Sequence, residues 1–278
     1  MSVQGLEQVL ETPSGHRFQT VVFAPDQKGQ FPLILFSTGN FSSPDRYREM
    51  LRPLAAAGYI VVAPIHLDAE ILALRPKPKA ARVWRTRNEE VAFLATEPEV
   101  LRARLRGLGL EIDSSKKALM GHSYGALIAQ LGAGAIARDP DGQQPNRLIA
   151  DADILVAWSP PGPIAKTIDK KGWSTISVPS LTITGTADIL PGFIDNWELH
   201  KASYAATPMG ARWLWVGDDV DHYFGGKFGR IKPVSSVIDK RFDHALQTTI
   251  SFLNFHLKPH LPHSHPLAQS GVSISKDK

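Results

Sequence analysis

The sequence predicts an α/β protein built on a doubly wound, mainly parallel sheet with helices on both of its faces. Short apolar runs rich in branched residues alternate along the chain with longer helical patterns. Most of these runs are continuously apolar, as expected for strands that are buried on both faces. The 278 residues are 43% hydrophobic and 21% charged, which is ordinary for a globular protein with a sizeable core.

The strand predictions follow from branched and aromatic runs bounded by turn residues. They are Phe18–Phe23, Leu33–Ser37, Tyr59–Ala63, Ala118–Gly121, Ile154–Trp158, Leu181–Thr184 and Arg212–Val216. The first of them is expected to pair antiparallel at an edge of the sheet, because only a short turn at Pro25–Gly29 separates it from the next strand.

The helix predictions lie between those strands. They are Arg46–Ala57, Asn88–Arg106, Tyr124–Arg138, Phe193–Ala206 and Arg241–His256. The arginines Arg82, Arg85 and Arg87 are interpreted as a solvated helix start.

We predict one domain over residues 1–258 and a flexible tail over residues 259–278, since the tail lacks any periodicity. The segment Leu67–Arg87 interrupts the alternation with Pro76, Pro78 and many basic side chains. Two interpretations stay open for it, a lid that covers a pocket and a long surface loop.

Composition excludes several classes of protein. The net charge of +4 has no block of like charges, which argues against nucleic-acid binding. The absence of cysteine excludes disulfides, thiolate metal sites and a cysteine nucleophile. The N-terminus has no signal-peptide pattern and no apolar run is long enough to span a membrane. A cytoplasmic location is therefore the default expectation, with export the alternative if a leader has been removed.

Gly121-His122-Ser123-Tyr124-Gly125 is the most informative motif of the chain. It is a G-x-S-x-G pentapeptide that follows a predicted strand and opens a predicted helix. That context makes Ser123 a candidate nucleophile on a strained strand-to-helix turn. The two glycines fit because such a turn leaves no room for side chains on either side of the serine.

A serine hydroxyl needs a base, and the base needs an acid that holds its tautomer. In doubly wound hydrolases these follow in the order Ser, Asp or Glu, His. Asp188 is the candidate acid, because it comes just beyond the carboxyl end of a predicted strand. A helix-capping role is the alternative. Asp195 and Asp153 are disfavoured by a helical pattern and by a position before a strand.

His222 is the candidate base. It follows the last predicted strand and lies between Gly217 and Gly225-Gly226, which suits a loop that delivers a side chain into a cleft. His200 falls in a helical pattern and fits less well, and His122 is expected to pack against or orient the turn.

The negative charge of a tetrahedral intermediate needs backbone N–H donors, the oxyanion hole. We expect one from Tyr124, directly after the nucleophile, and one from Asn40 in the loop that follows Phe36-Ser37. A simple connecting loop with Ser42 or Ser43 as a helix cap is compatible with the same residues.

With these motifs the chain resembles the α/β-hydrolase superfamily from about Phe18 to His256. More narrowly, the runs Pro32–Gly39, Leu54–Pro64, Gly121–Ala126 and Asp221–Phe224 resemble dienelactone-hydrolase-like proteins and platelet-activating-factor acetylhydrolases. Two positions depart from those relatives: Thr38 stands where a histidine is usual, and Ile65-His66 replaces an acidic residue followed by histidine. The resemblance implies Ser123 as nucleophile, Asp188 as orienting acid, His222 as base, and the amides of Asn40 and Tyr124 as oxyanion donors.

The function expected from these residues is hydrolysis of a small-molecule carboxylic ester through an acyl-enzyme, with no metal or organic cofactor. The pocket is expected to be bordered by Phe41, Tyr124, Trp158, Pro160 and Phe224. Perhydrolase, thioesterase or amidase chemistry is an alternative, because specificity lies in the loops. A non-catalytic protein that binds a ligand or partner is the alternative of another class. The sequence sets no oligomeric state.

Overall fold

The computed structural model describes residues 2–141, 145–146, 148, 150–164, 167–228, 235–260 and 270–277. Its strands are β1 (Val3–Glu11), β2 (Arg17–Pro25), β3 (Gly29–Ser37), β4 (Ile60–Ile65), β5 (Leu110–His122), β6 (Ala137–Arg138), β7 (Pro145–Asn146), β8 (Ile154–Trp158), β9 (Ser180–Ala187), β10 (Arg212–Asp221) and β11 (Val272–Lys276). Its α-helices are α1 (Arg48–Ala56), α2 (Ala80–Ala95), α3 (Glu99–Arg106), α4 (Tyr124–Gly132), α5 (Lys170–Trp173), α6 (Ala202–Ala206) and α7 (Ser236–Leu257).

Nine of these strands form one mixed sheet in the order β1-β2-β4-β3-β5-β8-β9-β10-β11. The block from β4 to β10 is parallel, while β1, β2 and β11 pair antiparallel at the two ends. The predicted mainly parallel sheet with helices on both faces is therefore confirmed.

The two faces of the sheet carry separate apolar cores. Helices α2, α3 and α4 cover one face, where Trp84, Leu101 and Leu127 are buried. Helices α1 and α7 cover the other face, where Leu54 and Phe252 are buried. Such double coverage explains why the parallel strands are continuous apolar runs in the sequence.

The sheet order places two loops side by side at its carboxyl edge. Strand β3 lies between β4 and β5, and the register pairs Ser37 with Gly121. The connection that follows β3 leads to β4 on one side of it, whereas the connection that follows β4 leads to β5 on the other side. Doubly wound sheets open a crevice where successive connections go to opposite sides in this way. The loops that follow β3 and β5 both border this crevice.

Strand β1 is absent from the sequence prediction, and β2 is not the edge strand. Strand β2 pairs antiparallel with β1 and β4 and does not pair with β3. The β1 sequence mixes polar and apolar residues, because an outer strand buries only part of its surface. It therefore has no continuous apolar run that would predict a strand.

Three predicted helices were too long. Asn88–Arg106 spans the second half of α2, which begins earlier at Ala80, and the whole of α3. The two helices are separate because the chain turns at Glu97, whose φ is +52°, and restarts at Pro98. Tyr124–Arg138 stops as α4 at Gly132, two residues before Gly134 with a φ of +107°. Phe193–Ala206 contains only a short 3₁₀ turn and α6.

The flexible-tail prediction is wrong for residues 272–276. They form β11, antiparallel to β10, with Trp215 opposite Ile274. The alternating Val-Ser-Ile-Ser pattern lets Val272 and Ile274 pack against the core while the serines face outward. Residues 261–269 of the predicted tail lie outside the described residues. Within the described part of the chain, no helix has the length and apolarity needed to cross a membrane.

Candidate active site

Ser123 occupies a sharp turn between β5 and α4. Its φ of +54° and ψ of −122° are rare for a residue with a side chain. A Cβ on Gly121 would lie 2.2 Å from the carbonyl oxygen of Gly125, and one on Gly125 would lie 2.0 Å from that of Ser37. Both glycines are thus required by backbone-to-backbone contact, and the turn has the geometry of a nucleophile elbow.

The structure brings Ser123, His222 and Asp188 together in a hydrogen-bonded line. His222 Nε2 lies 2.9 Å from Ser123 Oγ, and His222 Nδ1 lies 2.7 Å from Asp188 Oδ1. Asp188 follows β9 directly and His222 follows β10 directly, so neighbouring parallel strands deliver both side chains to the same edge. A proton on Nδ1 leaves the Nε2 lone pair free to accept the serine proton.

Asp188 is fully buried. Thr184 Oγ1 donates a hydrogen bond of 2.8 Å to its Oδ2 atom. Burial opposes the charge, but the side chains of His200 and His222 outweigh it and hold the pKa of the Asp188 carboxyl well below its usual range. The carboxylate can therefore fix the tautomer of His222 and stabilise its protonated form.

His200 is a second histidine beside the same carboxylate, although its helical pattern in the sequence disfavours a role in the site. Its Nε2 lies 2.9 Å from Asp188 Oδ1, and its Nδ1 lies 2.7 Å from the carbonyl oxygen of Pro160. Burial lowers the pKa of His200, but the contact with Asp188 and its charge outweigh burial, and the net pKa is raised. The imidazolium form suits the site, because Nδ1 faces a carbonyl oxygen and Nε2 lies at ion-pair distance from a carboxylate.

His122, the residue before Ser123, links the base to the loop that follows β3. The N–H of Gly39 donates to the Tyr47 hydroxyl over 3.0 Å, and that hydroxyl lies 2.9 Å from His122 Nδ1. His122 Nε2 lies 2.8 Å from the carbonyl oxygen of His222. Burial and the neighbouring His222 lower the pKa of His122 to about 3. A neutral His122 satisfies both of these contacts if Nδ1 accepts from the Tyr47 hydroxyl and Nε2–H donates to the carbonyl oxygen of His222. These contacts fit the orienting role expected for His122.

The residues of both expected oxyanion donors line the cavity at Ser123. Tyr124 is the first residue of α4, so its N–H has no acceptor within the helix. Asn40 lines the cavity together with Gly39 and Ser123. Within the described residues, the N–H of Asn40 donates to no protein acceptor, whereas the N–H groups of Gly39 and Phe41 are both engaged by side chains.

Ser123 and His222 open into a cavity of about 850 Å³. Its walls are mainly apolar, and large side chains contribute from several elements: Phe41, Trp84, Leu127, Ile164, Phe193 and Phe228. Phe41 lines this cavity as expected, and so does Tyr124. Asp68, Glu70, Pro78 and Ala80 from the Leu67–Arg87 segment also border it, so this segment forms part of the wall.

Three expected pocket residues do not line the cavity. Trp158 and Phe224 are fully buried, with ring centroids 4.9 Å apart, in the core beneath α7. Trp158 is the last residue of β8, and its side chain takes the α7 face of the sheet. Pro160 is buried, and it is the neighbouring Pro161 that lines the cavity. Aromatic type and proximity to strand ends did not reveal which face of the sheet each ring takes.

Asp188, His200 and His222 are also the one group in the described residues whose ligand atoms cluster within metal-binding range, 4.8 Å of one another. Their contacts of 2.7 and 2.9 Å are hydrogen-bond and ion-pair distances.

Comparison with known proteins gives matches to one family and to many solved structures. The chlorophyllase family matches over residues 6–137. No curated protein sequence matches the chain. A propionate-bound esterase 2 from Thermogutta terrifontis is 17% identical, with a TM-score of 0.62 over 90% of this chain and 93% of that chain. A fungal esterase from Rhizomucor miehei is 16% identical, with a TM-score of 0.60 over 94% of this chain and 86% of that one.

A protein described as a dienelactone hydrolase from Klebsiella pneumoniae is 14% identical to this chain. Its TM-score is 0.59 over 89% of this chain and 98% of that chain. At such low identities these likenesses establish the fold. They agree with the resemblance drawn from the motifs.

Proposed function

From the premise that the chain has the α/β-hydrolase fold, we propose that it is a serine hydrolase that cleaves carboxylic esters. One observation carries the proposal: the unbroken line of contacts from Ser123 Oγ through the His222 ring to Asp188. A line of this kind converts a weakly nucleophilic hydroxyl into an attacking group.

In the first half of the proposed reaction, Ser123 Oγ attacks the carbonyl carbon of the ester while its proton passes to His222 Nε2. Asp188, held ionised by its neighbours, stabilises the imidazolium that forms. The N–H groups of Asn40 and Tyr124 stabilise the negative charge on the carbonyl oxygen. When the tetrahedral intermediate collapses, the proton on Nε2 goes to the leaving alcohol and an acyl-Ser123 ester remains.

In the second half, water takes the place of the alcohol. His222 accepts a proton from this water, which attacks the acyl carbon through a second tetrahedral intermediate. The intermediate expels Ser123 Oγ, which takes back the proton from His222. The carboxylic acid leaves and the resting site is restored. Every proton moves through one nitrogen, and Nδ1 stays bonded to Asp188.

The comparisons support this proposal. Structural neighbours of the chain are esterases, and one neighbour structure is esterase 2 from Thermogutta terrifontis phosphorylated by paraoxon. Organophosphates of this type react with an activated serine. The same triad could act on thioesters or amides, or in perhydrolysis, because specificity lies in the loops around it.

The size and apolar lining of the cavity favour esters with a bulky apolar group. We expect p-nitrophenyl esters of medium and long acyl chains to be hydrolysed with a higher kcat/KM than the acetate, because each buried CH₂ contributes about 0.8 kcal/mol. Initial rates over a series from acetate to dodecanoate measure this. Matched thioester and anilide substrates separate ester hydrolysis from the alternatives. Absence of turnover on the whole series would favour the non-catalytic binding protein instead.

His200 is expected to keep the enzyme active at lower pH, by holding the acid limb of the kcat/KM profile at a lower pH than it would otherwise have. It faces Asp188 and His222, with His122 nearby, and its raised pKa keeps it protonated in weakly acidic solution. In His200→Gln this positive charge is lost, so Asp188 stabilises protonated His222 more strongly. The acid limb of kcat/KM should then move to higher pH, by on the order of one pH unit.

The control for this prediction is His256→Gln, which replaces a partly buried histidine on α7 that packs against Phe252 and Phe255. It should leave the acid limb where it is. If His200→Gln lowers activity equally at every pH, His200 has only a structural role.

A further inference from the structure

Arg87 is a buried cation that the proposed reaction does not use. It lies on α2 and its side chain is fully shielded from solvent. Nε donates to Asp68 Oδ1 over 2.9 Å, and Nη2 donates to Asp68 Oδ2 over 2.8 Å. The pair is thus bidentate, the geometry in which a guanidinium is held most firmly. The expectation that Arg87 belongs to a solvated helix start is wrong.

The rest of the guanidinium binds the loop that follows β3. Nη1 donates to the carbonyl oxygen of Thr38 over 2.6 Å, and Nη2 donates to that of Gly39 over 3.0 Å. In a planar trans peptide the C=O and the following N–H point in opposite directions. The N–H of Asn40 therefore points away from Arg87, and Asn40 lines the cavity beside Ser123.

Asp68 holds the next peptide of the same loop. Its Oδ2 accepts the N–H of Phe41 over 2.9 Å, and Phe41 has a φ of +61°. This conformation is unfavourable for a residue with a side chain and persists only where surrounding contacts hold it. Burial opposes ionisation of Asp68, but Arg87 holds the pKa of the Asp68 carboxyl below its usual value.

Arg87 also contacts the side chain of Tyr124, the residue whose N–H is the second expected oxyanion donor. Its Cζ lies 4.7 Å from the ring centroid of Tyr124, a cation–π distance. One side chain therefore contacts both the carbonyl group of the Gly39–Asn40 peptide and the ring of Tyr124, the two residues whose N–H groups are the expected oxyanion donors.

We infer that the Arg87–Asp68 pair is a positioning device for the oxyanion hole, fixing the N–H of Asn40 relative to Ser123 and to Tyr124. The inference rests on the proposed function. Two buried charges are a weak source of net stability, because their desolvation offsets most of their attraction. We therefore assign to the pair the role of holding the loop in one conformation through its hydrogen bonds to Thr38, Gly39 and Phe41.

The test uses Arg87→Lys and Asp68→Asn, with Arg102→Lys as the control. Lysine keeps the charge but cannot bind Asp68 and two carbonyl groups as a planar fork. The control alters the pair formed by Arg102 on α3 and Glu97 in the turn before it, and neither residue lines the cavity. The number of sites in each preparation is counted by the end point of fluorophosphonate labelling.

For Arg87→Lys we expect kcat on a p-nitrophenyl ester to fall by about 10- to 100-fold while KM changes little, because a misplaced donor weakens the transition state more than the ground state. A second readout is specific to the oxyanion hole. The ratio of rates for an ester and its thionoester should fall, since sulfur accepts hydrogen bonds poorly and gains less from a well-placed donor. Asp68→Asn should change both readouts in the same direction, and Arg102→Lys neither.

Loss of thermal stability with an unchanged kcat per labelled site and an unchanged ester-to-thionoester ratio would show that the pair is merely structural. If Arg87→Lys does not fold, Asp68→Asn decides the question by the same two readouts. Failure of the proposed function has another signature, because the unmodified protein would then neither hydrolyse esters nor take up the label.

Discussion

Replacing Ser123 by alanine is expected to lower kcat for ester hydrolysis by about 10⁴-fold or more. The reason is that no other described side chain holds a hydroxyl 2.9 Å from His222 Nε2. Alanine removes one oxygen atom and leaves the turn intact. KM, or the affinity for a substrate that is bound but not cleaved, should therefore change far less than kcat.

Covalent labelling gives an independent measurement of the same prediction. A fluorophosphonate should add one group to the unmodified chain, on the peptide that contains Ser123, and none to Ser123→Ala. Ser174→Ala is a suitable control, because Ser174 is exposed and its hydroxyl donates to the carbonyl oxygen of Lys171. Labelling or turnover that survives in Ser123→Ala would disprove the proposed nucleophile.

The strand predictions succeeded where burial on both faces leaves a continuous apolar run. The prediction Ile154–Trp158 coincides with β8, and the apolar runs from Leu33 and from Leu181 lie within β3 and β9. Residues directly after such strands meet at one edge of a parallel sheet, and this holds for any length or conformation of the connecting loops. Chain order was for this reason enough to place Ser123, Asp188 and His222 together as candidates.

The surrounding side chains were harder to predict, because their positions depend on how long segments return to the sheet. His200 reaches Asp188 only because residues 189–199 fold back over the end of β9, which no local pattern indicates. Arg87 did leave a signal. It shares the helical spacing of Trp84, Val91 and Leu94, all of which are buried on α2. A cation on the apolar side of a helix indicates a buried partner.

Gly125→Ala is expected to destabilise the fold and damage the site together. The added Cβ would lie 2.0 Å from the carbonyl oxygen of Ser37 and 2.6 Å from that of Thr38. In a helix, alanine is intrinsically favoured over glycine by about 1 kcal/mol, so any loss must come from this contact. Neither carbonyl can move alone, because both belong to the backbone where β3 passes into the loop that follows it. We expect the free energy of unfolding to fall by about 1–3 kcal/mol or more.

Gly132→Ala is the matched control for this change, because it adds the same group to the same helix, α4. Its Cβ would meet Leu119 Cδ1 at 2.4 Å, a contact with a side-chain end and not with backbone, so the cost should be smaller. Urea unfolding of both variants compares the stabilities, and kcat per labelled site compares the active sites. Because the Ser37–Phe41 backbone must shift in Gly125→Ala, its kcat should fall even in the folded fraction, whereas Gly132→Ala should retain kcat. A Gly125→Ala variant as stable and active as the unmodified protein would mean that the elbow does not pack against β3 as closely as these distances require.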